Sequence, residues 1–424
     1  MESRKKNTGK KRNVERNLVS RINTLHSECE NTYRRAVETA IEIGQLLTQK
    51  KLELEHGEWG KWVESNLAFT CRTASNYMRL YENQNKPELQ KCKGVFEALS
   101  YLKEETNKNR TKTRQATKEY RRAYADMDLD YDNPPAGQYE NKVIAGHNCQ
   151  VMQEMLNHGM MAKYSAVLGS PPYNVGMFYS SEYDDEKAFD TYMNAIAEPF
   201  KYYPDLLRQG GRVIYIVPTF LENKHRDISG DYNYDFPYEL RKRVEKVAPS
   251  LRFFGHIIWD KGDKAKNPIN KKYGSFCSPE RPSMRVGHEQ IMIWSNEQFT
   301  LSSPEGIKPD ITEETFLELS WTIWNIAPLV YKNNPHPCSY SSKLAESLIQ
   351  FLTFPSDWIL EPYNGSGVGC KAAQLLGRKF TGVDLNKNYC VYAKALLDAE
   401  KYTVSKARMK TILKGHKSLW KHLK

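Results

Sequence analysis

The stretch that most restricts what this chain can fold into runs from Trp358 to Asp384. Trp358-Ile359-Leu360-Glu361 has the apolar run of a buried strand, and Pro362-Tyr363-Asn364-Gly365-Ser366-Gly367-Val368-Gly369 cannot continue it. Cys370 to Leu376 then has helical spacing, and Lys379-Phe380-Thr381-Gly382-Val383-Asp384 reads as a second strand. A strand, a glycine turn, a helix and a returning strand make one β-turn-α-β unit, which calls for a parallel sheet with helices on its faces. Ligands of such sheets sit beyond the carboxyl ends of the strands. Here glycines permit close backbone approach and the helix amino end offers unpaired N–H groups. Asp384, nineteen residues after Gly365, stands where it can accept ribose hydroxyls. The loop lacks the Gly-Lys-Ser/Thr of a phosphate-binding loop and the full Gly-x-Gly-x-x-Gly of a dinucleotide site. A nucleoside without phosphates suits it better, and S-adenosylmethionine is one.

A second stretch carries polar chemistry at another strand end. Tyr164-Ser165-Ala166-Val167-Leu168 reads as a short buried strand, and Ser170-Pro171-Pro172-Tyr173 must turn out of it, because consecutive prolines cannot extend a ladder. Ser170 Oγ and the Pro171 or Pro172 carbonyl can accept hydrogen bonds from an amine while Tyr173 offers a stacking face. Taken alone this is equally an ordinary strand-ending turn.

The remaining second half supports the α/β reading. Lys142 to Gly146 is a strand entering a turn, with a helix to about His158; Phe189 to Leu207 is an amphipathic helix stopped by Gln209-Gly210-Gly211. Strands are expected over Arg212–Pro218, Phe254–Trp259 and Glu289–Trp294, with a helix over Pro237–Val247. Ser295 to Tyr331 shows no clear period.

The first half is different. Residues 1–13 form a basic arm expected to be disordered, and 14–102 a helical domain. Thr70 can cap a helix bearing Arg72, Ser75, Asn76 and Arg79 outward after a short helix near Trp62, the layout of a helix-turn-helix reader or of a plain bundle surface. Residues 103–140 read as a charged linker, helical or loose, and 401–424 as a basic tail. The charge balance, Lys+Arg 62 against Asp+Glu 51, gives +11, which fits a polyanionic partner. No apolar run reaches the ~20 residues of a spanning helix, so a cytoplasmic protein is expected. Eight cysteines without a Cys-x-x-Cys pair argue against a zinc cluster or disulfide framework.

Two family resemblances follow. His56-Gly57-Glu58-Trp59 and Arg72-Thr73-Ala74-Ser75-Asn76-Tyr77-Met78 resemble a helical domain of unknown function found in plasmid and phage proteins, over roughly residues 15–85. Ser170-Pro171-Pro172-Tyr173 placed before Glu361-Pro362-Tyr363-Asn364-Gly365-Ser366-Gly367 resembles the permuted, beta-group amino-methyltransferases of DNA. That match extends over most of 142–400 and includes Ile257-Ile258-Trp259-Asp260-Lys261, His288-Glu289, Ile323-Trp324-Asn325-Ile326 and His336-Pro337.

The second resemblance implies a Rossmann-like methyltransferase sheet with helices on both faces, over 141–400, preceded by the small all-α domain. It implies S-adenosylmethionine as cofactor, held by Glu361, Tyr363, Asn364, Gly365, Ser366, Gly367 and Asp384. It also implies methyl transfer to an exocyclic amine of a flipped base at Ser170, Pro171, Pro172 and Tyr173. Serine at the first motif position favours N4 of cytosine over N6 of adenine. Two departures stand out. Gly146-His147-Asn148 replaces the usual Gly-Asp, leaving His147 and Asn148 as the cofactor contacts there; and the loop starts with Glu361 instead of aspartate and ends Val368-Gly369 instead of in threonines. The implied partner is double-stranded DNA, with room for a cognate restriction enzyme. Target recognition is expected over about 260–331, with Lys261, Lys264, Lys266, Lys271 and Lys272 on phosphates and Arg72 and Arg79 as further DNA contacts. A DNA-binding regulator with an inactive catalytic domain is the reading from another class.

Overall fold

The computed structural model describes residues 15–28, 36–55, 57–222, 233–262, 274–282, 284, 286–328, 331 and 333–423. The chain divides into two compact units, Met1–Gln115 and Ala116–Lys424. The boundary falls inside one helix, Val95–Ala125. The stretch read as a charged linker is therefore helical to Ala125, polar along most of its length, and only then a loop.

In the first unit, helices 15–28, Ala36–Leu52, Trp59–Asn66 and Cys71–Glu82 enclose a core of Ile22, Leu25, Ile43, Leu47, Val63 and Leu80. Thr70 is an N-cap, its side chain accepting from the Thr73 amide, so the two short helices expected on either side of a tight turn are both present. Arg72 is exposed, but Arg79 is half-buried and donates to Thr106 Oγ1 at 2.8 Å, which turns it inward to the bundle.

The second unit is built on an eight-stranded sheet. Its strands are β1 (Lys142–Ala145), β2 (Tyr164–Gly169), β3 (Leu207–Val217), β6 (Leu251–Asp260), β7 (His288–Asn296), β8 (Ile323–Asn325), β9 (Trp358–Glu361) and β10 (Lys379–Asp384), with a separate antiparallel pair of β4 (Phe220–Glu222) and β5 (Asn233–Asp235). The order is β1-β10-β9-β2-β3-β7-β6-β8, and among the described strands of this sheet β7 alone runs against its neighbours. Alternation along β3 sends Val213 and Tyr215 to one face and Ile214 and Ile216 to the other, each into its own buried cluster. Helices cover both: Phe189–Ala197 and Phe236–Val247 on the first, Ser342–Leu352 and Val368–Leu375 on the second.

Several elements differ from expectation for identifiable reasons. The helix expected over Phe189–Leu207 breaks after Ala197 into shorter turns, with Pro199 and Pro204 each in the first turn of the next piece. Gln209-Gly210-Gly211, expected as a helix stop, lies within β3. The β2–β3 register jumps there, from Tyr164↔Leu207 to Ala166↔Arg212, and a Cβ on Gly210 would stand 1.9 Å from the Thr300 carbonyl oxygen. The segment read as a basic tail buries Val404, Met409, Leu413 and Leu423 in the second unit's core. A helix not expected at all, Lys387–Leu397, follows β10.

That helix begins with a buried clamp. Asn388 is 2% exposed; its amide donates to the carbonyls of Tyr124 (3.1 Å), Ala125 (3.0 Å) and Met127 (2.6 Å) and its oxygen accepts from the Leu129 amide. The side-chain amide thus donates to carbonyls at and just past the end of helix Val95–Ala125, where Tyr124 also accepts from the Met127 amide and Ala125 from the Asn386 side chain. Asn388→Ala takes a donor from each and leaves the Met127 carbonyl and the Leu129 amide without this partner, and we expect a loss of about 1–3 kcal/mol in the second unit, read as a lowered midpoint in chemical denaturation.

Candidate active site

The carboxyl ends of β1, β10, β9, β2 and β3 open onto a cavity of about 1160 Å³. Ser170 to Asn174 line it from the end of β2, Pro362 to Ser366 from the end of β9, Asp384 and Leu385 from β10, and His147 and Asn148 from β1. The two motifs that lie far apart in the chain therefore face one space. Glu361 and Gly367, expected among the cofactor contacts, do not line it.

The glycine loop is set by hydrogen bonds to its neighbours. The Asn364 amide donates to the Val383 carbonyl at 2.9 Å, and the Gly365 amide to Asp384 Oδ2 at 2.7 Å. Asp384 Oδ1 accepts from the Asn386 amide at 2.9 Å, so each carboxylate oxygen has one backbone donor and capacity for another. Burial pushes the Asp384 carboxyl up to about 6, opposed by those two donors. Beside it Leu385 is 55% exposed, an apolar surface at the cavity wall. Asn364 Oδ1 is buried without a partner. A carboxylate with acceptor capacity to spare beside a bare apolar wall fits a nucleoside.

Glu361 lies behind this loop. It is 1% exposed; Oε2 accepts from the Cys370 amide at 2.9 Å, at the start of helix Val368–Leu375, and Oε1 accepts the Tyr340 hydroxyl. The two departures noted in the loop belong together, because a Cβ on Gly369 would stand 2.4 Å from Glu361 Oε1 and 2.5 Å from the Tyr340 hydroxyl. The longer carboxylate occupies the space that a side chain at 369 would need. Burial pushes Glu361 up to about 7, against the hydrogen bonds from Tyr340 and Cys370.

At the other motif, Pro171 is buried and Ser170, Pro172 and Tyr173 are half-buried. The Tyr173 hydroxyl is held on three sides, 3.1 Å from the Ile216 carbonyl, 3.2 Å from Glu289 Oε2 and 3.3 Å from Ser170 Oγ. Burial and the Glu289 carboxylate push this phenol well above its usual value, so it stays protonated. The Pro172 carbonyl accepts the Tyr192 hydroxyl at 2.7 Å. The following loop is gathered around Asp185, whose buried carboxylate accepts the amides of Asn174, Val175 and Met177.

Lys261, expected on phosphates, is the one lysine of that set within the described residues. It lines the cavity, ion-paired with Glu289, because β6 and β7 pair antiparallel with Trp259 opposite Glu289. Lys264, Lys266, Lys271 and Lys272 lie outside the described residues. Glu289 has no role legible in the sequence; a polar residue leading an apolar strand carries no sign of which side chain it will meet. Asp126 and Met127, just past helix Val95–Ala125, also line the cavity unannounced.

Residues 164–395, more than half the chain, match the family described as DNA methylase. The chain belongs to the DNA methylase family. Its relatives include the type II methyltransferase M.BglII of Bacillus subtilis, 22% identical over 276 residues, covering 62% of this chain and 70% of that one. The type II methyltransferase M.HpaI of Haemophilus parainfluenzae is 33% identical over 238 residues, covering 55% of this chain and 68% of that one. Among solved structures, TTHA0409 of Thermus thermophilus complexed with S-adenosyl-L-methionine is similar with a TM-score of 0.47 at 20% identity, covering 65% of this chain and 95% of that one. Residues 15–114 match a family described as protein of unknown function (DUF3102). The methylase acts on DNA, and the cofactor of its family is S-adenosylmethionine.

The buried carboxylates give this methylase a pH signature. Glu361 moves from an ordinary 4.5 to about 7 on folding, so the folded state prefers it protonated. Its stabilising effect is complete below about 4.5 and is lost as pH rises through about 7, a difference on the order of 3 kcal/mol. Asp384, moving from 3.8 to about 6, adds a slope of the same sign. We expect the melting temperature of Glu361→Gln to fall less than that of wild type between pH 5 and pH 8. Parallel melting curves would show that Glu361 is not the titrating group.

Proposed function

We propose that this methylase transfers a methyl group to the exocyclic N4 amine of a cytosine flipped out of duplex DNA. The observation that carries the reading is the shared cavity: the Ser170–Tyr173 turn and the Gly365–Asp384 loop face one space. Its volume, about 1160 Å³, exceeds the roughly 300–1,000 Å³ of a single-ligand pocket, room for a base beside a nucleoside cofactor.

In this reading Asp384 accepts the ribose hydroxyls, Leu385 covers the adenine, and Asn364, Gly365, Ser366, Tyr363, His147 and Asn148 complete the wall. Glu361 supports the loop from behind. Bound there, S-adenosylmethionine supplies a methyl group on a cationic sulfur.

The target amine is a poor nucleophile because its lone pair is delocalised into the ring. Ser170 Oγ and a motif carbonyl, accepting its two protons, favour a pyramidal nitrogen with the lone pair directed at the methyl group. Tyr192 already occupies the Pro172 carbonyl, so Pro171 is the better acceptor. Flipping costs about a few kcal/mol. Stacking on an aromatic ring returns roughly 1–3 kcal/mol, and the tethered hydroxyl keeps the Tyr173 ring in place for it. Serine at position 170 is what favours cytosine. The lysines at 264, 266, 271 and 272 are proposed phosphate contacts, which position DNA without reading it.

Mass spectrometry of nucleosides from duplex DNA incubated with the enzyme and S-adenosylmethionine should find N4-methylcytosine; N6-methyladenine in its place would overturn the base assignment. Asp384→Ala should weaken S-adenosylmethionine binding by about 2–3 kcal/mol in calorimetry, the worth of one or two charge-assisted hydrogen bonds. Unchanged affinity would remove Asp384 from the cofactor site.

A further inference from the structure

The cavity wall carries a charged pair that belongs to neither motif. Lys261 Nζ pairs with Glu289 Oε1, the two side chains only 15% and 12% exposed, and the ammonium also lies 4.6 Å from the centre of the Trp259 ring. Such a pair adds little to folding, because desolvation offsets the attraction. Its position beside Ser170 and Tyr173 points to the chemistry instead.

The directions of the hydrogen bonds at Tyr173 follow from its partners. A phenol has one proton. The Ile216 carbonyl at 3.1 Å and the Glu289 carboxylate, ion-paired with Lys261, at 3.2 Å both accept, so that proton is directed to them. In the third contact, at 3.3 Å, Ser170 must then be the donor. Ser170 commits its own proton to Tyr173 and keeps its lone pairs for the cavity. Of the three partners of Tyr173, Glu289 is the one with a carboxylate, a group that can take up a proton. Lys261, held on the opposite oxygen, keeps Oε2 turned to the phenol.

We propose that Glu289 is the positioning residue of the reaction centre and the end of its proton path, acting on the substrate amine through Tyr173 and Ser170. The inference rests on the methyl-transfer reading above. The amine nitrogen forms its bond to the methyl carbon as the carbon–sulfur bond breaks, and the electron pair of that bond leaves with sulfur. The nitrogen then holds one proton in excess. That proton passes to Ser170 Oγ, the Ser170 proton to the Tyr173 oxygen, and the Tyr173 proton to Glu289 Oε2. One proton has moved from amine to carboxylate, and both hydroxyls end as they began.

The test compares Tyr173→Phe, Glu289→Gln, Glu289→Asp and the double variant Tyr173→Phe/Glu289→Gln with wild type. Single-turnover transfer of a tritiated methyl group from S-adenosylmethionine into unmethylated, polymerase-amplified duplex DNA is the first readout. Calorimetric S-adenosylmethionine affinity is the second. Each of Tyr173→Phe and Glu289→Gln should slow transfer about 10²-fold, in the range of lost acid–base assistance, with cofactor affinity unchanged. Glu289→Asp should recover part of the rate. The double variant should be no slower than Tyr173→Phe alone, because both changes cut one path.

A Glu289→Gln enzyme as fast as wild type, or a double variant slower than Tyr173→Phe by the whole Glu289→Gln factor, overturns the relay. Should the uncompensated Lys261 unfold Glu289→Gln, the charge-free Lys261→Met/Glu289→Gln enzyme carries the same comparison. A wild-type chain that transfers no label overturns the methyl-transfer reading and the relay with it, so the two failures are told apart.

Discussion

Two register pairs, Ala166 with Ile359 and Val167 with Leu360, hold together everything that gives this molecule a site. They join β2 to β9 in parallel, so the loop after each strand leaves the sheet at the same end. On one side of that seam β10 places Asp384 under the glycine loop, and on the other β3 brings the Ile216 carbonyl to Tyr173. The strands themselves are almost wholly apolar and covered on both faces, which strongly restricts register: a slip would move the polar turns out of the common opening.

The polar groups placed at that opening work against the burial that positions them. Glu361 and Asp384 are both raised by desolvation and both held by backbone N–H groups, which limits how far each can rise. They divide the work between them. Glu361 organises the loop from behind, with Gly369 making room for it, while Asp384 keeps acceptor capacity toward the cavity. Across the sheet β7, antiparallel to its neighbours, delivers the Glu289 carboxylate to a tyrosine more than a hundred residues earlier in the chain.

What the sequence made legible was local. Consecutive prolines after an apolar run, glycines between a strand and a helix, and an acid at a strand end each announce their geometry within a few residues, and the strands at 358–361 and 379–384 appear where the pattern puts them. Long-range partners were not legible. Nothing near Glu289 indicates Tyr173, and nothing near Asn388 indicates the helix end it clamps. Nothing near Lys261 indicates its ion pair with Glu289. The helix at 387–397 was missed behind its polar start, Asn386-Lys387-Asn388, whose polar side chains close the connection from β10 and clamp a neighbour. Likewise the charges of 401–424 concealed four buried apolar residues.

The central claim is that the Ser170 turn and the Asp384 loop serve one reaction from opposite sides of the β2–β9 seam. A crystal structure with S-adenosylhomocysteine bound tests it most directly. The account predicts the ribose hydroxyls on Asp384 and the sulfur facing Ser170 and Pro171 across the cavity. A nucleoside bound elsewhere, or one whose sulfur points away from the Ser170 turn, would contradict it.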